Sequence, residues 1–165
     1  MFISAIIIWL LAIILLLIVF VKNKRNIPEA LNISLNQFIL VLPRLPLSLL
    51  AAGFITVLLP KELISSWIGH DSGFFGLLIA AVIGSIIPSG PIVAFPVAIA
   101  LYKLGAGSPQ LVAFLTGWSS FQITRMLLWE VPFLGWGFAY KRVIVSIPLP
   151  FIAGGISMLL IFVYN

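Results

Sequence analysis

Of 165 residues, 62% are hydrophobic and only 8% charged, with a mean hydropathy of +1.27; soluble domains carry about a quarter charged residues, so the chain is an integral membrane protein with room for about four to six spans and no soluble domain beside them. Nine Lys and Arg against four Asp and Glu give a net charge of +5, but these charges lie mostly between apolar segments, as topology determinants do, and form no nucleic-acid footprint. Cysteine is absent and His70 is the single histidine, which excludes disulfides, thiolate metal sites and thiol redox chemistry and leaves no metal or cofactor expected.

Residues 2–21 form an uninterrupted apolar run with Lys22, Lys24 and Arg25 directly behind it. The basic cluster follows the run instead of preceding it, and no small-residue cleavage site follows, so a retained first span is expected, with its trailing charges in the cytoplasm. Residues 26–37 are polar enough for a loop or interfacial helix, with Pro28 and Glu29 suited to a first helical turn. The second apolar segment, residues 38–59, is interrupted by Pro43-Arg44-Leu45-Pro46, and two prolines so close should kink or split the helix near its start. Residues 61–72, carrying Trp67, His70 and Asp71, read as an amphipathic connector.

Residues 73–102 contain no charged side chain, yet Pro88-Ser89-Gly90-Pro91 stands in their middle. As one helix they would extend about 45 Å, too long for about 30 Å of hydrocarbon unless strongly tilted. Two courses are open: a span with an unwound centre, or a re-entrant pair of half-helices meeting at residues 88–91. Gly105-Ala106-Gly107-Ser108-Pro109 is a turn. Residues 111–128 make the next span, with a polar waist at Gly117-Trp118-Ser119-Ser120 and Arg125 near its end. Residues 129–142 mix aromatics and charges as an interface does, and residues 143–164 make a last span with Gly154 and Gly155 available for close packing. The expected fold is all-α and polytopic, with about five apolar segments.

Several of these residues together resemble a known family. Leu59-Pro60-Lys61-Glu62, Gly69, Gly84-Ser85-Ile86-Ile87-Pro88-Ser89-Gly90-Pro91, Pro96-Val97-Ala98, Leu101, Gly105-Ala106 and Ala113-Phe114-Leu115 resemble one half of the predicted permeases related to bacterial organoarsenical efflux permeases. Longer relatives carry this unit twice, and here it occurs once, over roughly residues 38–155. The organoarsenical members have cysteines where this chain has Ser89 and Gly90, so thiol-based handling of arsenic or mercury does not carry over. The resemblance implies one permease unit spanning residues 1–165 in a prokaryotic cell membrane, with a solute of unspecified identity. A two-repeat transporter built from one such unit requires a homodimer.

A helix broken at membrane depth is tolerated only where protein or a water-filled cavity satisfies its backbone, and such breaks are a recurring site device of secondary transporters. Pro88, Ser89, Gly90 and Pro91, with Gly84 and Ser85 before them, are therefore the first candidates. Unwinding there would aim the N–H groups of a helix starting near Ile92 at the membrane middle; the competing reading is a kinked span whose carbonyls are satisfied by Ser85 or Ser89. Arg125 with Trp118, Ser119, Ser120 and Gln122 is the second group, since an intramembrane charge marks a pathway or a counter-ion; alternatively Arg125 snorkels to the interface beside Glu130. Arg44 reads as an interfacial anchor, and His70 and Asp71 as a solvated connector.

The favoured function is a permease subunit passing a small polar or ionic solute by alternating access; the alternative is a non-transporting scaffold or accessory subunit. An enzyme is not expected, since neither a zinc-binding HExxH motif nor the glycine pattern of an intramembrane serine nucleophile is present. Orientation depends on the course of residues 73–102. If each apolar segment crosses once, Lys22, Lys24, Arg25 and Lys103 face Lys61, Lys141 and Arg142; four against three permits an antiparallel homodimer of inverted repeats. If residues 73–102 are re-entrant, the count becomes five against two and one orientation is fixed.

Overall fold

A computed structural model of the chain describes residues 2–22, 27–88 and 90–164, and those residues are mostly helical, with no strand among them. Four helical stretches are long and apolar enough to cross a membrane: Ser4–Val21, Ile27–Leu58, Lys61–Ile86 and Trp136–Val163. The chain is an all-α polytopic membrane protein, in two compact units, Met1–Pro43 and Arg44–Asn165. In the first, α1 (Phe2–Lys22) is apolar and exposed all round, as a lipid-facing helix must be. It is followed by α2 (Ile27–Val41), and facing turns of the two line a groove with Ala12, Leu16, Ile27 and Leu31.

The second unit begins with α3 (Arg44–Leu58). Pro43 lies in the preceding turn and Pro46 in the first turn of α3, where a missing N–H costs nothing. The expected connector is a short helix, α4 (Lys61–Ile68), and a 3-10 turn at His70–Ser72. Then come α5 (Gly73–Ile86) and α6 (Pro91–Lys103), separated by non-helical residues at 87, 88 and 90.

The open question over residues 73–102 resolves at the ends of these two helices. Gly107 N–H donates to the Ile68 carbonyl at 2.9 Å, so the residues after α6 lie beside those before α5. The chain therefore goes out along α5 and returns along α6, so the two helices form a hairpin. A Schellman motif closes α6, with Ala106 N–H donating to Leu101 O and Gly105 N–H to Tyr102 O, both at 3.0 Å. It requires a left-handed residue, and Gly105 supplies φ +97°.

Next is α7 (Ser108–Phe121), which runs parallel to α5. Its first turn meets the start of α5, where the Gln110 amide donates to Ser72 Oγ at 3.1 Å, and its later turns meet the end of α5. Both helices bury small residues one turn apart: Gly76, Ala80 and Gly84 on α5, Ala113 and Gly117 on α7. Two of these glycines interlock. A Cβ on Gly84 would fall on the Phe114 carbonyl oxygen, and one on Gly117 on that of Ala81. This is the small-residue packing that membrane helices use, since lipid offers no hydrophobic drive to bring them together.

Beyond Phe121 the helix does not continue to residue 128 as the apolar run suggests. It breaks at Gln122 (φ −29°, ψ 98°) and resumes as α8 (Ile123–Arg125), a π-turn at Met126–Glu130 and α9 (Val131–Leu134). The last span also starts earlier than expected: α10 (Trp136–Ser146) leads into α11 (Pro148–Tyr164). α11 runs antiparallel to α5 and α7: Ile147 and Phe151 line a cavity with Ser85 and Phe121 at their ends, Gly154 is seated on Leu77 and the Pro109 carbonyl, and Met158 and Ile161 line another with His70 before α5.

The interlock is directly testable by thermal unfolding of the purified chain in detergent. Gly84→Ala and Gly117→Ala should each lose about 1–3 kcal/mol through overpacking against rigid backbone. Gly155→Ala, with nothing within 4 Å of its added Cβ, should be neutral or slightly stabilising; equal losses at all three positions would refute the close approach.

Candidate functional site

At about 1.5 Å per residue, the 14-residue α5 is about 20 Å long, shorter than a hydrocarbon core of about 30 Å. Ile87 N–H folds back onto Gly84 O at 3.2 Å, and the C-terminal carbonyls of α5 point past it. On the other side α6 starts with Pro91, which has no N–H, behind an extended Gly90 that provides no side-chain cap. Pro96 inside α6 has no N–H for the Ile92 carbonyl either. The tip thus combines the negative end of one helix dipole with the positive end of another.

Among the described tip residues, Ile86, Pro88, Gly90 and Pro91 are exposed, and nothing lies within 4 Å of a Cβ built on Gly90. Ser85 is half-buried, and its hydroxyl donates to Val82 O at 2.7 Å, within its own helix; it does not satisfy the tip. Ser89 lies outside the described residues. Gly84 is buried in the interlock with α7, one turn before the break.

The second break, at Gln122, comes at the same end of the α5/α7 pair. Gly84 meets Phe114 and the Trp118 nitrogen, one turn short of Gln122. Trp118 and Ser120 are half-buried, Ser119 is exposed and Gln122 is buried. The carbonyls that α7 leaves unpaired at this break are taken by two arginines: Arg125 Nη2 donates to Ser119 O at 2.8 Å, and Arg142 Nη1 to Ser120 O at 2.6 Å. Cations at a helix C-terminus also oppose its negative dipole end.

Glu130, from the π-turn, stands between the two guanidinium groups. Its carboxylate is 2.7 Å from Arg142 Nε and 3.7 Å from Arg125 Nε. The shorter contact is an ion pair whose N–H is not aligned for a hydrogen bond, and Arg142 Nη2 and the Thr124 hydroxyl are buried without partners. Arg142 and Glu130 are 21% and 14% exposed against 46% for Arg125, so the Arg142 pair is the drier and stronger of the two. Arg142 is the residue that sequence reasoning placed at the interface and left out of the site. Its position opposite Gln122, 20 residues away, is a tertiary fact that no local signal carries.

The remaining candidates fall elsewhere. Arg44 is exposed at the start of α3, and His70 and Asp71 are exposed in the 3-10 turn at the mouth of the hairpin. A cavity of about 390 Å³ lies beside α5, lined by Leu78, Ala81, Ser85, Phe121, Met126 and Phe151 among others. Its walls are apolar apart from Ser85, so it offers a polar solute little. Among the described residues no group of three or more His, Asp or Glu could hold a metal ion.

A protein-family model described as a predicted permease matches residues 26–163. No curated protein and no solved structure matches the chain.

The Arg142–Glu130 pair yields a stability prediction. Arg142→Ala strips a partner from a largely buried carboxylate and a helix end, and should cost about 3 kcal/mol; Arg125→Ala, more exposed, should cost less than about 1 kcal/mol. Adding Glu130→Gln to Arg142→Ala should cost less than the sum of the single changes, read by thermal unfolding as a double-mutant cycle. Strict additivity would show that the two side chains do not interact.

Proposed function

The chain belongs to the predicted permease family, and from that premise we propose that it passes a small polar or ionic solute across the membrane by alternating access, with the solute bound at the hairpin tip in a homodimer. The observation that carries this reading is the uncovered tip. Backbone polar groups facing hydrocarbon cost several kcal/mol each, so a turn about two thirds of the way into the core needs protein or water over it. This chain leaves Gly90 and Pro91 exposed. A second copy over an aqueous cavity supplies the cover, and places the opposed dipole ends of α5 and α6 where a polar solute would pass. Ser119, Ser120, Gln122 and Arg125, one turn from the tip region along α7, would line the path on the far side, with Trp118 flanking it.

We read the α5–α6 hairpin as re-entrant, and that course bears on orientation as well. With residues 73–102 entering and leaving on one side, Lys61 and Lys103 share that side, and Lys22, Lys24, Arg25, Lys141 and Arg142 share the other. Five against two favours one fixed insertion with the larger cluster in the cytoplasm. The two copies of the dimer are then parallel, and the mouth of the hairpin opens outward.

Two experiments test this. Gly90→Ala combined with Pro91→Ala removes helix-breaking costs of about 1 and 3 kcal/mol, favours a continued helix, and should abolish solute flux in reconstituted vesicles while membrane insertion is retained. Full flux in the double variant would make the tip purely structural. For orientation, Ser108→Cys at the mouth should react almost completely with a membrane-impermeant thiol reagent in intact cells, and Gly137→Cys only after lysis. Half-labelling of both would replace the parallel dimer with an antiparallel one.

A further inference from the structure

We infer that the face of α10 carrying Lys141, Arg142 and Ser146 is a binding site for the phosphate of an anionic phospholipid headgroup. These residues, with Phe138 and Val145, line an open groove of about 270 Å³. Lys141 and Arg142 are adjacent in sequence, Ser146 follows one turn after Arg142, and Phe138 and Val145 complete the same face. The groove thus pairs two cations and a hydroxyl with an apolar strip, the arrangement that a phosphate and its acyl chains require.

Donor capacity here exceeds what the protein uses. Lys141 is exposed and has no hydrogen bond or ion pair among the described residues. Arg142 spends Nη1 on Ser120 O and sets Nε against Glu130, while Nη2 is buried without a partner. Around this end of α7, Arg125, Lys141 and Arg142 face one acid, Glu130, an excess of two positive charges. The exposed, unpaired Lys141 and the net positive charge beside an open groove favour an anion from outside the chain.

The apolar strip beside the cations and the side of the groove favour lipid as the source. Trp136 and Tyr140, on the other face of α10, and Trp129 before it are exposed, as interfacial aromatics are. Lys141 follows Tyr140 directly. On the orientation proposed above, on which this point alone rests, the groove faces the cytoplasmic leaflet, where anionic lipids give a negative surface potential. A phosphate held by Lys141 would compete with Glu130 for Arg142, and so loosen the lock on the Ser120 carbonyl at the α7 break. Anionic lipid would in this way set how firmly the break is held.

The test uses the purified full chain in neutral detergent, with thermal unfolding followed by tryptophan fluorescence during titration with phosphatidylglycerol, phosphatidylcholine or inorganic phosphate. Phosphatidylglycerol should raise the melting temperature saturably and phosphatidylcholine should not. Lys141→Gln should weaken the phosphatidylglycerol titration about fivefold, as loss of one lysine at an anionic surface does, whereas Lys61→Gln at the mouth should leave it unchanged. An unchanged titration in Lys141→Gln, or equal stabilisation by both lipids, would overturn the site. Stabilisation by inorganic phosphate alone to the same extent would overturn the lipid assignment in favour of a soluble anion. The readout involves no transport, so it stands or falls separately from the flux and labelling experiments.

Discussion

Hydrocarbon offers no hydrogen bonds, and nearly every feature of the Arg44–Asn165 unit answers to that constraint. The chain interrupts its helices twice at the same end of the α5/α7 pair, after Ile86 and after Phe121. Each interruption leaves helix-terminal carbonyls without intrahelical partners. What distinguishes the two is how they are satisfied. At Gln122 the protein brings its own donors, Arg125 and Arg142, held in register by Glu130. At the hairpin tip no described side chain does the same work, and Ser85, the nearest hydroxyl, turns back into its own helix.

That contrast gives the two breaks different characters. A helix end whose Ser119 and Ser120 carbonyls are each bound by an arginine, with Glu130 between the two guanidinium groups, is held in place. The tip is the opposite case: its polarity is left for something outside the chain. The glycine interlock of α5 and α7 connects them, since Gly84 seated on Phe114 O and Gly117 seated on Ala81 O set the height of the tip relative to the break. Backbone against backbone has little give, so the site's geometry is fixed from the helix flanks even though the tip residues themselves are uncovered.

The broken tract was legible in the sequence because proline and glycine act locally: Pro88, Gly90 and Pro91 stop a helix whatever surrounds them. The direction of the chain after the break was not, since a return and a continuation share the same residues and differ in whether Gly107 reaches Ile68. Gly84 could be read as a close-approach position and proves to be one, while Gly90 has open space around it and serves the turn instead. The Gln122 break carries no proline or glycine, and the apolar run through residues 111–128 passes over it. Glu130 was visible as a partner for Arg125, five residues away, but its closer pairing with Arg142 comes from α10 folding back along α7. Sequence thus reveals interruptions made by backbone chemistry and hides those made by tertiary hydrogen bonds.

The proposed fixed orientation constrains what a second copy can do. Parallel copies of one chain in a membrane are related by a two-fold axis along the membrane normal, and an isologous interface then brings each surface against itself. In the proposed dimer a tip that needs covering meets an identical tip, so its extended Gly90 and uncapped α6 are doubled around one axis. A solute on that axis would see two helix N-termini and two C-termini at one depth, an environment with both donors and acceptors and no fixed net charge. In that dimer the charged groups would belong to the Gln122 break and not to the tip itself, with Arg125 and Arg142 outnumbering Glu130 there. Selection by charge sign would then occur beside the path and solvation by backbone at its centre, a division that suits a polar solute stripped of water over a short distance.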